Sequence, residues 1–466
     1  MTDSEQDRSR HPYLAPFRGL RYVRERVGGL AAVTSPPYDV VVRPDGRRLL
    51  ETADPHNVVR LILPEAATPD DRHRAAARTL ADWLADGVLA LDPRPALYVY
   101  EQRDAARVQR GVIGALRLSS PQEGAVLPHE DVMPGPVADR AALMRATVAN
   151  LEPLLLAYRD GPATARVVEH AAAGTPLLAT TTGDGVRHRL WAVTEPADLA
   201  AVDTELARRQ ALIADGHHRW ATYRLLQDEH PPGTPWDFGL VLLVDTARYP
   251  LEVRAIHRVL PALPPGEALA AAGGIFRVRA LGRCGLAEAL DALADAAGGR
   301  QGDTRDGRDG PGRLGATGAD GADGADGADG ADDSTALAAG RGNAFVLAGA
   351  AGFHLLDRPD PERLRGWLPA DRPEAWRRLD ATVLHGVLLD RVWRVPDLPE
   401  HIRYIHDAQA AVDLAGQFGG TAVLMHPVRE SVVLDLARQG VMMPRKSTSF
   451  GPKPATGLVM RTLGPA

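Results

Sequence analysis

Lysine is almost missing from this 466-residue chain, which carries 52 arginines and only two lysines, Lys446 and Lys453. Cysteine is nearly absent too. Cys284 stands alone, which excludes an internal disulfide framework and any structural zinc site built mainly from thiolates. No window holds the roughly 18 uninterrupted apolar residues that a spanning helix requires, and the start MTDSEQDRSR has no apolar run. A soluble, cytoplasmic protein without a membrane partner is expected. Basic excess is also lacking: the net charge is −6, of which residues 299–342, with nine Asp and five Arg, contribute −4. The remaining −2 excludes the basic footprint of a nucleic-acid binder and leaves a small molecule as the expected partner. Neither a Gly-x-Gly-x-x-Gly after a strand nor a Walker loop is present, so a dinucleotide-binding Rossmann unit has no support.

What is present is 45% hydrophobic sequence, enough for two to three domains. Short strand-like runs (ALYVYEQR, RGVIGALRL, HRLWAVT, FGLVLLVD) alternate with helical ones (RHRAAARTLADWLADG, ADRAALMRATVANLEPLL, ADLAAVDTELARRQ). That alternation predicts a mixed α/β fold. Residues 299–342 read as a Gly-Ala-Asp repeat that cannot bury enough apolar surface to order itself, and a disordered insertion is expected there. LAEALDALADAA before it has helical period, and NAFVLAGAAGFHLLD after it reads as a hairpin. Further on, DATVLHGVLLDRVW and AQAAVDLAGQF read as helices and TAVLMHP as a strand. The expected organisation is an N-terminal region over 1–245 and a C-terminal region over 246–298 and 343–466 that carries the lysine-bearing tail.

Three stretches carry chemistry. In IADGHHRWATYRLL a short apolar run leads to Asp215 and Gly216, and Trp220, Tyr223 and Leu226 recur on one face of a following helix. Asp215 is expected to cap that helix, and Gly216 to let the backbone approach a ligand. His217, His218 and Arg219 add donors where free N–H groups attract an anion. Adjacent helical histidines diverge, which argues against joint metal binding; a general base and a merely capped helix remain as alternatives. In VLPHEDVMPGPVADR, His129 and Glu130 lie between Pro128 and Pro134, ahead of Arg140, and a loop carboxylate beside a histidine suits a general base or a metal ligand. Arg18 lies in APFRGLRYV, and VTSPPYDVV places Tyr38 and Asp39 on a stiff turn expected to end a short strand. The two lysines fall together in MPRKSTSFGPKPATGLVMR, where a compact ammonium suits a phosphate pocket as a point charge.

PFRGLR, PPYDV, PHE with its downstream Asp139-Arg140, IADGHHRWAT and the lysine-bearing tail together resemble the bacterial domain of unknown function family 1015 (DUF 1015). The likeness runs nearly end to end. The tail departs from the common PKSTYFYPK pattern at Arg445, Ser449 and Gly451, but keeps Lys446, Ser447, Thr448 and Lys453. The DGHHR motif is similar to the phosphate-binding motif of the ParB/sulfiredoxin superfamily, which includes ATP-dependent free serine kinases. That resemblance implies a ParB/sulfiredoxin-like nucleotide-binding core and an ATP- (or ADP-) and magnesium-dependent phosphotransferase acting on a small hydroxyl compound. It implies catalytic roles for Glu130, His129 and Asp215, and cofactor contacts from Gly216, His217, His218, Arg219, Lys446, Ser447, Thr448 and Lys453. Arg18, Tyr38, Asp39 and Arg140 are then expected at the substrate. A nucleotide- or phosphate-sensing module without turnover, and a ParB-like nucleic-acid binder, are the competing expectations.

Overall fold

In the computed structural model, residues 12–41, 45–298 and 342–464 are described. The expected disordered insertion, apart from Gly342, lies outside the described residues. The chain divides into two compact units, one of residues through Arg254 together with Val428 onward, the other Ala255–Pro427. Both mix helix and strand, so the fold class is α/β.

The first unit is built on a nine-stranded mixed sheet. Its order runs Val126–Leu127, Ala211–Asp215, Leu154–Tyr158, Phe238–Asp245, Val108–Arg117, Leu97–Arg103, Arg187–Val193, Leu178–Thr181, with Leu14–Ala15 also on Val108–Arg117. Two pairings are parallel, Ala211–Asp215 with Val126–Leu127 and Phe238–Asp245 with Leu154–Tyr158; the others are antiparallel. The central strands LLLAY, ALIAD and FGLVLLVD are almost wholly buried, as continuous apolar runs in a sheet covered on both faces should be. Helices Pro134–Thr147 and His217–Asp228 pack against each other, and the predicted stripe of Trp220, Tyr223 and Leu226 enters the core.

The second unit holds a six-stranded antiparallel sheet, in the order Arg277–Ala280, Gly352–Asp357, Phe345–Gly349, Thr421–Met425, His257–Leu260, Arg403–Ile405. The hairpin and the helices Leu286–Ala296 and Ala408–Phe418 follow the sequence reading. DATVLHGVLLDRVW departs from it: an α-helical turn, Asp380–Val383, passes into a π-helix over Leu384–Val392.

The predicted domain boundary is corrected by the tail. From Val428 the chain belongs with the first unit, because its backbone is paired along that unit. Met443 pairs with Glu130, Ser449–Gly451 with Glu252–Arg254, Thr456 with Ser35, Met460 with Leu20, and Arg461–Thr462 with Ala149–Asn150. Each pairing satisfies backbone groups that burial would otherwise leave unmet. The short strand expected before PPYD is likewise replaced by a helical turn, Leu30–Val33, after which Ser35 takes its partner from the tail.

Arg461 anchors the far end of this seam. It is 6% exposed, and its guanidinium donates to Asn150 Oδ1 at 3.0 Å and to the carbonyls of Phe238 and Pro235, both at 2.8 Å. Arg461→Met is expected to lower unfolding free energy by about 2–4 kcal/mol, since it strands three acceptors. A denaturation midpoint that stays at the wild-type position would overturn that assignment.

Candidate functional site

The strand Ala211–Asp215 ends where Gly216 turns the chain into the helix His217–Asp228. Gly216 sits at φ 99°, in the left-handed region, and a Cβ there would lie 2.4 Å from Leu154 Cδ2. Backbone conformation and this packing by themselves favour glycine here. The expected cap is also corrected. Asp215 makes no side-chain cap to the helix. Its Oδ2 accepts from Arg219 Nη2 at 2.6 Å, and its Oδ1 lies 2.6 Å from Lys453 Nζ. Lys453 also binds Asp39 Oδ2, so one ammonium joins the PPYD turn, the DGHHR strand end and the tail.

Arg219, expected as a phosphate donor, is turned into the protein. It is 4% exposed, gives its second terminal nitrogen to the Pro153 carbonyl at 2.9 Å, and lies 5.8 Å from the Tyr38 ring centroid. Arg140 stacks over the same ring at 4.6 Å and donates to the Ile62 carbonyl and Asp139. Two guanidinium groups thus lie within cation–π reach of the Tyr38 ring.

The histidines knit the PHE loop to the helix start. His217 Nε2 accepts from the backbone N–H of His129 at 3.3 Å, and His218 Nε2 accepts from that of Met133 at 3.1 Å. An accepting Nε2 puts the proton of the neutral ring on Nδ1. His129 is 1% exposed, bonds Thr448 Oγ1 through Nε2 at 2.9 Å, and meets His217 edge to face at 4.5 Å. Burial pushes His217 down to about 3, with His218, Lys446 and Lys453 adding repulsion, and drives His129 well below the usual range. Neither ring carries charge at neutral pH.

Glu130 accepts the backbone N–H of Lys446 at 3.2 Å, and Lys446 itself has a left-handed backbone, φ 57°. Burial raises the Glu130 carboxyl although Lys446 pulls against it. For Asp215 burial acts in the same upward direction, but Lys453 and Arg219 together outweigh it and hold the group below the ordinary carboxylate range. Ser447 turns its hydroxyl back to the Pro444 carbonyl. Arg18 is not brought to this cluster: it is exposed, and its Nε donates to the Asp92 carbonyl at 2.7 Å.

One residue was missed. Glu152, 6% exposed, accepts from the Tyr38 N–H at 3.0 Å and the Thr456 hydroxyl at 3.3 Å, with burial raising its carboxyl against the pull of Arg219 and Arg140. Its only trace in the sequence is an acid inside the apolar run ANLEPLLLAY. Arg140, Glu152, Arg219 and Tyr223 also line a cavity of about 30 Å³. A ligand of nucleotide size does not fit there, so it would meet the site from the exposed side, where Lys446, Asp39 and His218 reach solvent. Among the described residues no group of three or more His, Cys, Asp and Glu could hold a metal ion. Nor is any helix among them long and apolar enough to cross a membrane.

Because the folded state keeps His217 and His129 neutral, the stability they contribute is present above their unfolded value near 6.5 and is lost as pH falls below it, for His217 down to about 3. The slope is about 1.4 kcal/mol per pH unit for each histidine. His217→Gln, which keeps an acceptor, is expected to flatten that acid limb in denaturation measured between about pH 7 and about pH 5. An unchanged slope would show that His217 is not buried neutral.

No curated protein matches the sequence. Among solved structures, a variant free serine kinase with AMP is 12% identical, covering 73% of this chain and 87% of that one at a TM-score of 0.33. A conserved hypothetical protein from Pyrococcus furiosus is also 12% identical, covering 73% and 90% at 0.32. SbnI with a C-terminal truncation, from Staphylococcus aureus, is 9% identical, covering 73% and 82% at 0.33. TM-scores this low do not establish a shared topology. Residues 14–382 match the family model described as a protein of unknown function (DUF1015), a stretch that holds Glu130 and the DGHHR turn but not the two lysines. That match spans well over half of the chain, and the protein belongs to the DUF1015 family.

Proposed function

We propose that the cluster around Asp215 is the site of a nucleotide-dependent phosphotransferase acting on a small alcohol, with free L-serine as the acceptor to test first. The observation that supports it most is the meeting of the chain's only two lysines with the DGHHR turn and Glu130. The choice of serine rests on the resemblance of the DGHHR motif and not on the structural likenesses.

The residues present fit a magnesium nucleotide. The first-turn N–H groups of the helix at His217 and the Lys446 ammonium offer donors and charge to phosphate oxygens. Asp39 and Asp215 are the carboxylates that would hold a magnesium ion brought in with the nucleotide, and magnesium commonly takes only one or two from protein. ATP with magnesium would supply the transferable phosphoryl group. Glu130, its carboxyl raised toward neutrality, accepts the proton of the attacking hydroxyl, so the acceptor oxygen gains phosphorus as ADP departs. Lys446 balances the charge that spreads over the transferred group. Lys453 and Arg219 hold Asp215 ionised and in place, and His129 supports the loop without touching substrate.

Purified protein with ATP, magnesium and L-serine is expected to release ADP and phosphoserine in equal amounts. Saturable ATP binding with no product from any small alcohol would favour the sensing module instead. Salt-sensitive DNA binding would favour the ParB-like reading, which the near-neutral charge outside 299–342 opposes. Glu130→Gln is expected to lower kcat roughly 100-fold or more with KM for ATP little changed. Lys446→Arg should cost roughly tenfold or more, because a planar fork does not replace a compact ammonium. Wild-type rates in the Lys446→Arg protein would remove that lysine from the site.

A further inference from the structure

The second unit contains a pocket of about 400 Å³ whose walls are unusually rich in arginine. Arg358, Arg365, Arg377 and Arg378 make up four of its eleven lining residues, against 52 of 466 in the whole chain. They come from three separate places: Arg358 follows the strand Gly352–Asp357, Arg365 lies in the helix Pro361–Trp367, and Arg377 and Arg378 sit at the end of Glu374–Arg377. Glu374 is the one acid among the described lining residues, so their formal charge is +3. That single carboxylate is shared, with Oε2 taking Arg377 Nη2 and Oε1 taking Arg378 Nε, both at 2.7 Å. Asn343 fixes this wall from behind, donating to the Arg378 carbonyl at 2.8 Å and to Asp380 Oδ1 at 2.7 Å.

The guanidinium groups are largely solvated, Arg358, Arg365 and Arg378 exposed and Arg377 partly buried, but all four line one concavity. Arg358 holds a left-handed backbone, φ 46°, a conformation that costs energy in a non-glycine residue. Four like charges meet at one concavity with one carboxylate among its described lining residues, which makes the pocket attractive to an anion. Planar guanidinium forks match phosphate and carboxylate oxygens in pairs.

From this geometry we infer that the second unit binds a small oxyanion carrying two or more negative charges, gripped by Arg358 and Arg365 and by Arg377 and Arg378 in exchange for Glu374. The ligand's chemistry is that of a phosphate group or a dicarboxylate. This site is independent of the reading given to Asp215.

Full-length protein is titrated with inorganic phosphate, pyrophosphate and succinate by calorimetry, and the probes that bind tell phosphate from carboxylate recognition. Because the Asp215 cluster can also take phosphate, the result is read from variants. Arg358→Gly suits the left-handed backbone and is expected to keep the melting temperature while weakening binding roughly tenfold or more. Arg365→Ala should do the same. Glu374→Gln, which removes the competing carboxylate, is expected to tighten binding, and Asp215→Asn should leave it unchanged. No saturable binding of any of the three probes at millimolar concentration, or an affinity indifferent to Arg358→Gly and Arg365→Ala, would overturn the inference.

Discussion

The Asp215 carboxylate is the contact on which the first unit's site depends. It is buried, and a buried charge persists only when it is paired and hydrogen-bonded. Each oxygen has its own cation: Arg219 from the first turn of the helix that follows, and Lys453 from more than two hundred residues downstream. Through Lys453 the pairing extends to Asp39, and through Tyr38 and Glu152 it returns to Arg219 and Thr456. Four segments far apart in sequence therefore hold one another in position, and loss of any member leaves a charge without its complement.

The same neighbourhood moves carboxyl groups in opposite directions. Asp215 has two cations in contact and is held ionised, whereas Glu130 and Glu152 receive mainly backbone and hydroxyl donors and are raised by burial. Separated acidities in one cluster are the usual basis for a division of labour between a fixed charge and a proton carrier. The neutral histidines complete the division. They act as acceptors that bind loop to helix, contributing order where their position in the motif suggests charge.

Local features were legible in the sequence. ALIA before Asp-Gly, the Trp220, Tyr223 and Leu226 stripe, and the hairpin over residues 345–357 follow from period and turn chemistry, and each stands where expected. The pair of lysines could be noticed because an arginine-rich composition made them conspicuous. What could not be read was partnership. Whether Asp215 caps a helix or receives Lys453 depends on a tail whose sequence carries no mark of the strand it will join. Arg219 and Arg18 look equally available as text, yet one is buried beneath Tyr38 and the other is bonded to a backbone carbonyl elsewhere. Glu152 was hidden for the opposite reason, since an acid in an apolar run offers no spacing to recognise.

The seam made by residues 443–462 also has a bearing on the order of assembly. Synthesis delivers the PPYD turn, the PHE loop and the DGHHR helix first, then the whole second unit, and only afterwards the strand segments and ammonium that close the cluster. Until those residues emerge, Asp39 and Asp215 face each other without the cation between them, and the backbone at Ser35, Leu20 and Glu130 lacks its partners. The first unit is thus a discontinuous domain, sealed by a segment made after the second unit. A nascent chain can fold its second unit before its first is finished, and the constellation proposed here comes into being only after the whole second unit has been made.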